Sequence, residues 1–425
     1  MTRMETDREI ELGYGRGTLT FRFDKSRFSL INTTTNSQAP LSDFEVGAAF
    51  DSLVADSAGS VLIVVSDATR ATASAQIVNL LVRRLIQAGV SPANIAIIFA
   101  TGIHRAVNDK EKVELLTSFV AQRLRILEHD AYDPAQLTSL GTTASGVAVE
   151  VNRALKEFSH VIVTGSVTFH YFAGFTGGRK SICPGLASAK TIEATHMLAL
   201  DFERGGRKAG VRAGSLDGNA VHEECERVAV MVAPSFGINT IVGEKKCAVK
   251  LFCGDWRLAH RAACDYYLDQ HSVVIPAKRD VVIVSCGGFP HDINMIQAHK
   301  ALDMAALACN DGGTIILLAE CSDGLGRPDF LKWFDESDSR ALEARLFNSY
   351  EVNGQTAWAL LTKAERHRVY LISELPSEDV KRMRMNPVKT ISEALEYAGS
   401  SDGFIMPRGA ALLPQVQSTD YADEA

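Results

Sequence analysis

VLIVVSDATRATASAQIVNLLVRRLIQAGVSPANIAIIFATGIHR, residues 61–105, determines the fold class of this chain. Two short apolar runs, Val61–Val65 and Ile95–Phe99, are rich in β-branched residues and have the length of buried strands. Between them the apolar residues recur every four positions, at Ile77, Leu81 and Leu85. That period is typical of an amphipathic helix. The order strand, helix, strand predicts a βαβ unit, in which the two strands pair in parallel.

Similar apolar runs continue to the end of the chain and extend this pattern. They are Val161–Val163, Val281–Val284, Ile315–Leu318, Val369–Ile372 and Phe404–Met406. The stretch DQHSVVIPAKRD, residues 269–280, interrupts the alternation with a proline and several charges, which is typical of a domain boundary. The sequence therefore predicts an α/β protein of two Rossmann-like domains, residues 1–270 and 271–425, with the active site in the crevice between them.

The composition is that of a globular enzyme rather than of a disordered or fibrous chain. Hydrophobic residues make up 46% and charged residues 22% of the 425 residues. The net charge of −7 argues against a nucleic-acid partner. Because the N-terminus is charged and no apolar stretch approaches the roughly 18 residues of a membrane span, we expect a cytoplasmic protein without a membrane partner. The eight cysteines form no CxxC pair, so neither a disulfide framework nor a zinc ribbon is indicated.

Reactive side chains follow four of the apolar runs, where parallel strands bring ligands together in open α/β sheets. In chain order they are Asp67-Ala68-Thr69-Arg70, His104 with Arg105, His170 with Lys180, and Gln297 with Lys300. Singly, each has a structural explanation: a helix N-cap with a solvated arginine, a histidine in a turn or a histidine in the core. Their convergence on one edge of a sheet favours a catalytic site.

A glycine-rich segment, AGFTGGRKSICPG at 173–185, contains Lys180 and lets the backbone approach a ligand closely. Its free backbone N–H groups favour an anionic ligand, and a phosphate is the expected one. The segment is not a Walker A loop, because Arg179 stands where that motif requires glycine. No G-x-G-x-x-G opens a helix after a strand either, so the standard dinucleotide fingerprint is absent.

His196 lies in a predicted helix that follows the glycine-rich segment, where one imidazole could hold a metal. One histidine alone holds no metal tightly, so the other ligands would have to come from a cofactor. Two further pairs have helical ligand spacings, His222 with Cys225 and His260 with Cys264. Such pairs often arise by chance, and we interpret them as structural.

Taken together, these motifs resemble the lactate racemase family, the racemases and epimerases of 2-hydroxy acids that depend on a nickel-pincer nucleotide. The most specific match is the run from His170 through AGFTGGRKSICPG to Lys190-Thr-Ile and His196. Supporting matches are Asp67-x-Thr69-Arg70, Thr101-Gly102-x-His104-Arg105 and Gln297-x-x-Lys300. The motifs occur in the family's order, and the resemblance covers nearly the whole chain.

The resemblance implies a cofactor bound to Lys180, a Ni(II) pyridinium-3,5-bisthiocarboxylic acid mononucleotide joined through a thioamide, with His196 as the protein ligand of nickel. Its nucleotide part is implied to lie on Asp67, Ala68, Thr69 and Arg70. Arg70, Gln297 and Lys300 are implied to bind a small 2-hydroxy acid substrate, and His104 and His170 to be the acid–base pair. The partners implied are the proteins that synthesise and deliver this nucleotide.

A hydride route suits these residues, because the α-proton of a hydroxy acid is too weakly acidic for an unaided histidine. One histidine would take the hydroxyl proton while hydride passes from C2 to the cofactor, and the resulting 2-oxo acid would reorient before hydride returns to its other face. Two bases are needed because the hydroxyl groups of the two enantiomers point to different sides. Imidazole suits both the base and the acid role near neutral pH.

The sequence departs from the lactate-specific pattern in the pocket wall. Ala71 replaces a proline, Phe169 precedes His170, Ile296 replaces a tyrosine, and Gln355 replaces a tryptophan. These changes leave lactate and a different, larger 2-hydroxy acid or sugar acid equally open as substrates. Two other hypotheses also stay open: a nucleotide-dependent dehydrogenase or phosphotransferase that uses the glycine-rich segment, and a non-catalytic cofactor-binding protein.

Overall fold

The computed structural model of the chain describes residues 7–32, 38–54, 59–68, 70–243 and 246–417. Strands and helices alternate through most of it. The strands are β1 Asp7–Tyr14, β2 Gly17–Asp24, β3 Phe28–Leu30, β4 Val61–Ser66, β5 Ile95–Ala100, β6 Arg125–Leu127, β7 Leu137–Thr142, β8 Ala148–Asn152, β9 His160–Ser166, β10 Phe169–His170, β11 Gly174–Phe175, β12 Phe236–Val242, β13 Ala248–Gly254, β14 Ser272–Ile275, β15 Arg279–Ser285, β16 Cys309–Leu318, β17 Arg368–Ile372, β18 Asn386–Pro387, β19 Gly403–Met406 and β20 Leu413–Val416.

The helices fall mostly between these strands. They are α1 Asp43–Val54, α2 Ser74–Gln87, α3 Asp109–Ala121, α4 Ala154–Glu157, α5 Ala189–Met197, α6 Ala220–Val232, α7 Trp256–His271, α8 Met295–Ala308, α9 Ser339–Asn348, α10 Val352–Arg366, α11 Ser377–Arg382 and α12 Ile391–Ala398. In the described part of the chain, no helix has both the length and the apolar character needed to cross a bilayer.

The chain divides into two compact units. The central unit comprises Thr35–Leu200 and Arg207–Asp269, and the terminal unit comprises Met1–Thr34, Asp201–Gly206 and Gln270–Ala425. This differs from the predicted division into residues 1–270 and 271–425, because the beginning of the chain belongs with its end. The reason is strand pairing: β3 adds to β19 in parallel, with Phe28 opposite Gly403.

The central unit is built on a six-stranded sheet in the order β13-β12-β9-β4-β5-β6. All pairs are parallel except β12 with β13. The predicted runs at 61–65, 95–99 and 161–163 are β4, β5 and β9, and the predicted amphipathic helix is α2, which buries Ile77, Leu81 and Leu85 against this sheet. From β4 the chain moves outward to β5 on one side and to β9 on the other. The carboxyl ends of β4 and β9 therefore flank the point where ligands bind in such sheets.

The terminal unit has a second six-stranded sheet, in the order β18-β17-β16-β15-β19-β3, and all of its pairs are parallel. The four predicted runs after residue 280 are β15, β16, β17 and β19. Leu12, Phe21 and Phe23 of the N-terminal hairpin β1–β2 are buried in the same hydrophobic core as Ile283 and Ile316. The protein is thus α/β with parallel sheets, as the sequence predicts.

Candidate active site

The loops that follow β4 and β5 meet through an acid–histidine contact. The Nδ1 atom of His104 lies 2.7 Å from Oδ2 of Asp67. Asp67 follows the last residue of β4 and is buried, whereas the side chain of His104 is 52% exposed. The predicted acid–base histidine is therefore anchored at one ring nitrogen and accessible elsewhere on the ring.

The loop after β4 forms a turn that leads into α2. The N–H of Arg70 donates to the carbonyl of Asp67 over 3.2 Å, and Ala68 at the top of the turn is exposed. Thr69, the other residue predicted to contact the nucleotide, lies outside the described residues. The residue that precedes α2 is Ala73, which has no side-chain acceptor for the first N–H groups of the helix. Such N–H groups attract anions, so this turn can receive a phosphate.

The loop after β5 is tied to the end of the glycine-rich segment. The N–H of Gly102 donates to the carbonyl of Gly185 over 2.8 Å, and the N–H of His104 donates to the carbonyl of Thr101 over 2.9 Å. Gly185 fits only without a side chain, because a Cβ atom would lie 2.5 Å from the carbonyl oxygen of Ser181. This close packing holds His104 in place relative to the segment that carries Lys180.

Three of the predicted residues surround one aromatic ring, that of Phe172. The ring of His170 lies 4.6 Å from it and the ring of His196 lies 5.0 Å from it, both edge to face, measured between centroids. The Nζ atom of Lys180 lies 5.5 Å from the same centroid. The structure therefore brings His170, Lys180 and His196 together, although they are spread over 27 positions of the chain.

His196 is buried in α5 with one ring nitrogen already engaged. Its Nδ1 atom lies 2.8 Å from the carbonyl oxygen of Ile192, so Nδ1 carries the proton and Nε2 keeps its lone pair. Burial, together with the nearby Lys180 amine, lowers the pKa of His196 to about 3. A neutral imidazole oriented by a backbone carbonyl is the usual form of a metal ligand.

Lys180 lies in a short turn, Gly178–Ser181, between β11 and α5. Burial, assisted by the charges of Arg179 and Arg70, lowers the pKa of the Lys180 amine to about 7. A substantial fraction of the amine is therefore neutral at neutral pH, which is the form that attacks a carbonyl or thiocarbonyl carbon.

His170 ends β10, half of a two-residue hairpin with β11 in which His170 pairs with Gly174. Its Nδ1 atom accepts a hydrogen bond from the N–H of Ala173 over 3.3 Å. The ring also stacks on that of Tyr171, with 5.4 Å between the centroids. The hairpin and these two neighbours fix the direction of the imidazole.

The glycine-rich segment is built around Arg179, whose role the sequence did not indicate. Arg179 is 1% exposed, and its guanidinium donates to the carbonyl oxygens of Ala173 over 2.7 Å and of Phe175 over 3.0 Å. It also contacts Nε2 of His260 at 3.0 Å. Burying a cation is costly, and the loop carbonyls offset part of that cost by accepting from both terminal nitrogens. In the described part of the chain, Nε of Arg179 has no hydrogen-bond partner. Arg179 thus shapes the backbone that presents His170 and Lys180.

Two glycines of this segment, Gly174 and Gly178, serve internal packing. The N–H of Gly178 donates to Oδ1 of Asn239 over 2.9 Å, and a Cβ atom there would lie 2.5 Å from the ring of His260. A Cβ atom on Gly174 would lie 2.0 Å from the carbonyl oxygen of Ser215. At these two positions protein atoms therefore occupy the space beside the backbone, and the N–H of Gly178 is already engaged.

The remaining predicted residues, Gln297 and Lys300, lie on α8 of the terminal unit. Asn294 caps this helix by accepting a hydrogen bond from the N–H of Gln297 over 3.0 Å. One turn further, Nζ of Lys300 donates to Oε1 of Gln297 over 2.6 Å. The structure brings these two together, one turn into α8, and the other predicted residues belong to the central unit.

The histidine–cysteine pairs with helical spacing do not form a metal centre among the described residues. No group of three histidine, cysteine or carboxylate side chains there could hold a metal ion. Cys264 contacts His260 at 3.3 Å, and His260 faces Arg179. This pair belongs to the packing of the glycine-rich segment.

Sequence reasoning missed three residues of the site: Phe172, Arg179 and Asn239. Phe172 and Arg179 lie inside the run that carries the resemblance, so their position indicated that they belong to the site. The contacts that an aromatic ring and a cation make there could not be inferred from their residue types. Asn239 lies on β12, 61 positions after Gly178, and no pattern in the sequence links them.

Comparisons with known proteins point to the same family over both the N-terminal and the C-terminal parts of the chain. The family model of the lactate racemase N-terminal domain matches residues 31–206, and that of the C-terminal domain matches residues 274–406. The lactate racemase of Thermoanaerobacterium thermosaccharolyticum is 31% identical over 376 residues, which cover 85% of each chain. That of Lactiplantibacillus plantarum is 31% identical over 428 residues, 95% of this chain and 99% of the relative.

Solved structures show the same similarity. The apoprotein of the Thermoanaerobacterium thermosaccharolyticum lactate racemase superimposes with a TM-score of 0.87 at 28% identity, over 96% of this chain and 100% of that one. A crystal structure of a protein from Thermotoga maritima gives a TM-score of 0.71 at 20% identity, over 90% of this chain. The second similarity concerns the fold alone.

Proposed function

The chain belongs to the lactate racemase family, and on that basis we propose that it is a nickel-dependent isomerase that inverts C2 of a 2-hydroxy acid. Racemase activity is the property that family membership supports. We further propose that the cofactor is a nickel-pincer nucleotide on Lys180 and that His104 and His170 are the acid–base pair. The substrate range is proposed to extend beyond lactate. In each six-stranded sheet, later strands lie on both sides of one strand, β4 in the central unit and β15 in the terminal unit. This order supports Rossmann-like units.

The observation that carries the proposal is the grouping of His170, Lys180 and His196 around the Phe172 ring. A planar pincer cofactor needs an amine for its thioamide link and one protein ligand for its metal. Lys180 supplies a partly neutral amine, and His196 supplies a neutral imidazole whose Nε2 lone pair is kept available by the contact of Nδ1 with Ile192. The chemistry of the donors therefore fits the group.

The nucleotide part of the cofactor is proposed to bind the turn that leads from Asp67 to α2. The uncapped N-terminus of α2 and the cation of Arg70 favour a phosphate at that point. The internal packing at Gly174 and Gly178 disfavours the alternatives that would use this segment to hold a phosphate, a dehydrogenase or a phosphotransferase. The nickel-pincer nucleotide would be supplied by the proteins that synthesise it.

When bound, the cofactor supplies an acceptor for hydride from C2. The other steps belong to side chains of this chain. His104 or His170 takes the hydroxyl proton on one face of the substrate, and the other histidine protonates the oxygen after the ketone has turned. Imidazole suits both roles because its ordinary pKa lies near neutrality.

Arg70, Gln297 and Lys300 are proposed to bind the substrate carboxylate and hydroxyl. Lys300 and Gln297 already share a hydrogen bond and present a cation beside an amide, the pair of groups that a hydroxy-carboxylate requires. Gln355 in α10 is buried and accepts a hydrogen bond from the Tyr350 hydroxyl. A polar side chain there, instead of tryptophan, supports a substrate more polar or larger than lactate.

A chiral assay of cofactor-loaded protein against a panel of single-enantiomer 2-hydroxy acids and sugar acids tests the proposal. We expect inversion at C2 of at least one panel member. His104→Gln and His170→Gln should each lower the rate by at least about 100-fold, the usual worth of a general acid or base. His160→Gln is the matched control, because His160 lies at the opposite, amino end of β9 and should leave the rate unchanged.

Nickel analysis and intact mass accompany the assay. Loaded protein that carries nickel and an adduct on Lys180 but inverts no panel member would contradict an isomerase. That result would instead favour a non-catalytic protein that stores or delivers the cofactor. Protein without nickel or adduct, from a host able to make the nucleotide, would contradict the cofactor assignment.

A further inference from the structure

The two histidines proposed as the acid–base pair differ in their hydrogen-bond partners at Nδ1: one partner is an acceptor and the other is a donor. On His104 the partner is a carboxylate, since Oδ2 of Asp67 lies 2.7 Å away. An ionised carboxylate only accepts hydrogen bonds, so Nδ1 of His104 must carry the proton. In the neutral ring the lone pair is then at Nε2.

On His170 the partner is a donor. The N–H of Ala173 lies 3.3 Å from Nδ1, and a backbone N–H only donates, so Nδ1 must keep its lone pair. The neutral ring then carries its proton at Nε2. The direction of this N–H is itself fixed, because the carbonyl of the same peptide group, that of Phe172, accepts a hydrogen bond from Nδ2 of Asn219 over 2.9 Å. Gly174 also pairs with His170 across the hairpin.

We infer that the resting protein holds its two histidines in opposite tautomers: His104 as a proton acceptor at Nε2, set by Asp67 as a positioning residue, and His170 as a donor at Nε2, set by the N–H of Ala173. Their catalytic use rests on the proposed function, but the tautomers themselves are a property of the protein without cofactor. Asp67 acts through His104 here, a role distinct from the nucleotide contact that the family resemblance implies.

The opposite tautomers give the two isomers unequal routes. For the isomer whose hydroxyl faces His104, the O–H bond breaks and an N–H bond forms at Nε2, and the imidazolium is stabilised by the Asp67 carboxylate already in contact. For the other isomer, His170 must first lose its Nε2 proton to solvent and gain one from solvent at Nδ1, which breaks the contact with the N–H of Ala173. Only then can Nε2 accept the hydroxyl proton. We therefore expect kcat and KM to differ between the two isomers.

The test is histidine side-chain ¹⁵N NMR of the apoprotein, labelled only at histidine, at about two pH units above the ordinary histidine pKa of ~6.5. The signals of these two among the 11 histidines are assigned with His104→Gln and His170→Gln. We expect a protonated Nδ1 and a bare Nε2 for His104, and the reverse for His170. The same tautomer on both rings would overturn the inference.

Asp67→Ala isolates the positioning role. We expect it to remove the preference of His104 for a protonated Nδ1 and to leave the His170 pattern and the melting temperature nearly unchanged. Asp109→Asn, a change at a fully exposed carboxylate of the same unit, should alter neither pattern. An Asp67→Ala protein that keeps the wild-type His104 pattern would overturn the role of Asp67.

Asp67→Asn in the loaded enzyme separates positioning from cofactor binding. Positioning predicts a lower kcat per bound nickel. Loss of nickel with an unchanged kcat per bound nickel would show that Asp67 serves only to hold the cofactor and would overturn its positioning role. Opposite tautomers in a loaded protein that inverts no substrate would support this inference and refute the proposed function, so the two fail separately.

Discussion

At the scale of single residues, the site depends on two cations in places where proteins rarely put them. Lys180 carries an amine whose pKa burial lowers to about 7, and its neighbour Arg179 is 1% exposed. The carbonyl oxygens of its own loop offset part of the cost of burying Arg179, because they accept from both terminal nitrogens of the guanidinium. Lys180 meets the cost of its own burial by losing its proton, which also makes it reactive.

The pKa of Lys180 makes the stability of the apoprotein depend on pH. A lysine in the unfolded chain has a pKa of ~10.4, so above about pH 7 the unfolded state binds more protons at this residue than the folded state does. Stability conferred by the wild-type lysine should therefore rise with pH from 7 towards 10, by at most about 1.4 kcal/mol per pH unit. Urea unfolding of wild type and Lys180→Met at several pH values measures it.

The comparison has a matched control. Lys156→Met removes an exposed lysine of the same unit, and its difference from wild type should stay constant with pH. If the difference between wild type and Lys180→Met also stays constant from pH 7 to 10, the Lys180 amine has no lowered pKa.

The sequence was sufficient to nominate most candidate site residues, but it did not reveal which atoms they contact. His104, His170, Lys180 and His196 each follow or lie near a strand end that the apolar runs reveal. Arg179, in contrast, replaces the glycine of a familiar motif, and the ordinary expectation for an arginine is the surface. Arg179 is buried because the folded loop directs several backbone carbonyl oxygens at its guanidinium, an arrangement that the sequence does not show.

At the scale of elements, the site is assembled from loops that follow parallel strands. The apolar runs predicted β4, β5 and β9, because continuous β-branched runs suit strands buried on both faces. Short pairs such as β10 with β11 could not be predicted, since two residues carry no periodicity. Asn239 on β12 reaches Gly178 only because β12 lies beside β9, a choice of neighbour that strand composition does not determine.

The contact between the Gly102 loop and Gly185 should be sensitive to one added methyl group. In Gly185→Ala the Cβ atom would lie 2.5 Å from the Ser181 carbonyl oxygen and 2.7 Å from Cβ of Ala100. We expect destabilisation of about 1–3 kcal/mol, the usual cost of overpacking, and less adduct on Lys180. Urea unfolding and intact mass measure the two effects.

Gly17→Ala provides the control, since its new Cβ would have no neighbour closer than 3.9 Å. It should change the free energy of unfolding by less than about 1 kcal/mol. A Gly185→Ala protein as stable as wild type and fully loaded would show that the two loops tolerate separation.

At the scale of the whole molecule, the division of the chain was the least predictable feature. The break near 270 is marked by a proline and charges, but the membership of residues 1–34 in the terminal unit depends on pairing between residues about 375 positions apart. The tip of the β1–β2 hairpin is held by Asp292, whose Oδ2 atom accepts from the N–H groups of Gly15 over 2.6 Å and of Glu320 over 3.3 Å.

Asp292→Ala should therefore weaken the terminal unit and spare the central one. Loss of hydrogen bonds to a charged acceptor costs about 1.5–3 kcal/mol. Hydrogen exchange should quicken at the amides of β15 and β16 and stay unchanged at those of β4 and β5. Asp311→Ala, which breaks an exposed ion pair with Arg366, should have little effect on either unit. Equal quickening in both units would contradict the division.

Retention or loss of deuterium at C2 distinguishes inversion by hydride transfer from inversion by proton abstraction. Loaded protein is given a single enantiomer of its substrate with deuterium at C2, in ordinary water, and the product is separated on a chiral column and weighed by mass spectrometry. Hydride transfer predicts the opposite configuration with deuterium kept at C2, because the hydrogen of C2 never passes to the histidines or to the solvent. Inverted product that carries hydrogen from water at C2 would contradict hydride transfer and indicate proton abstraction instead.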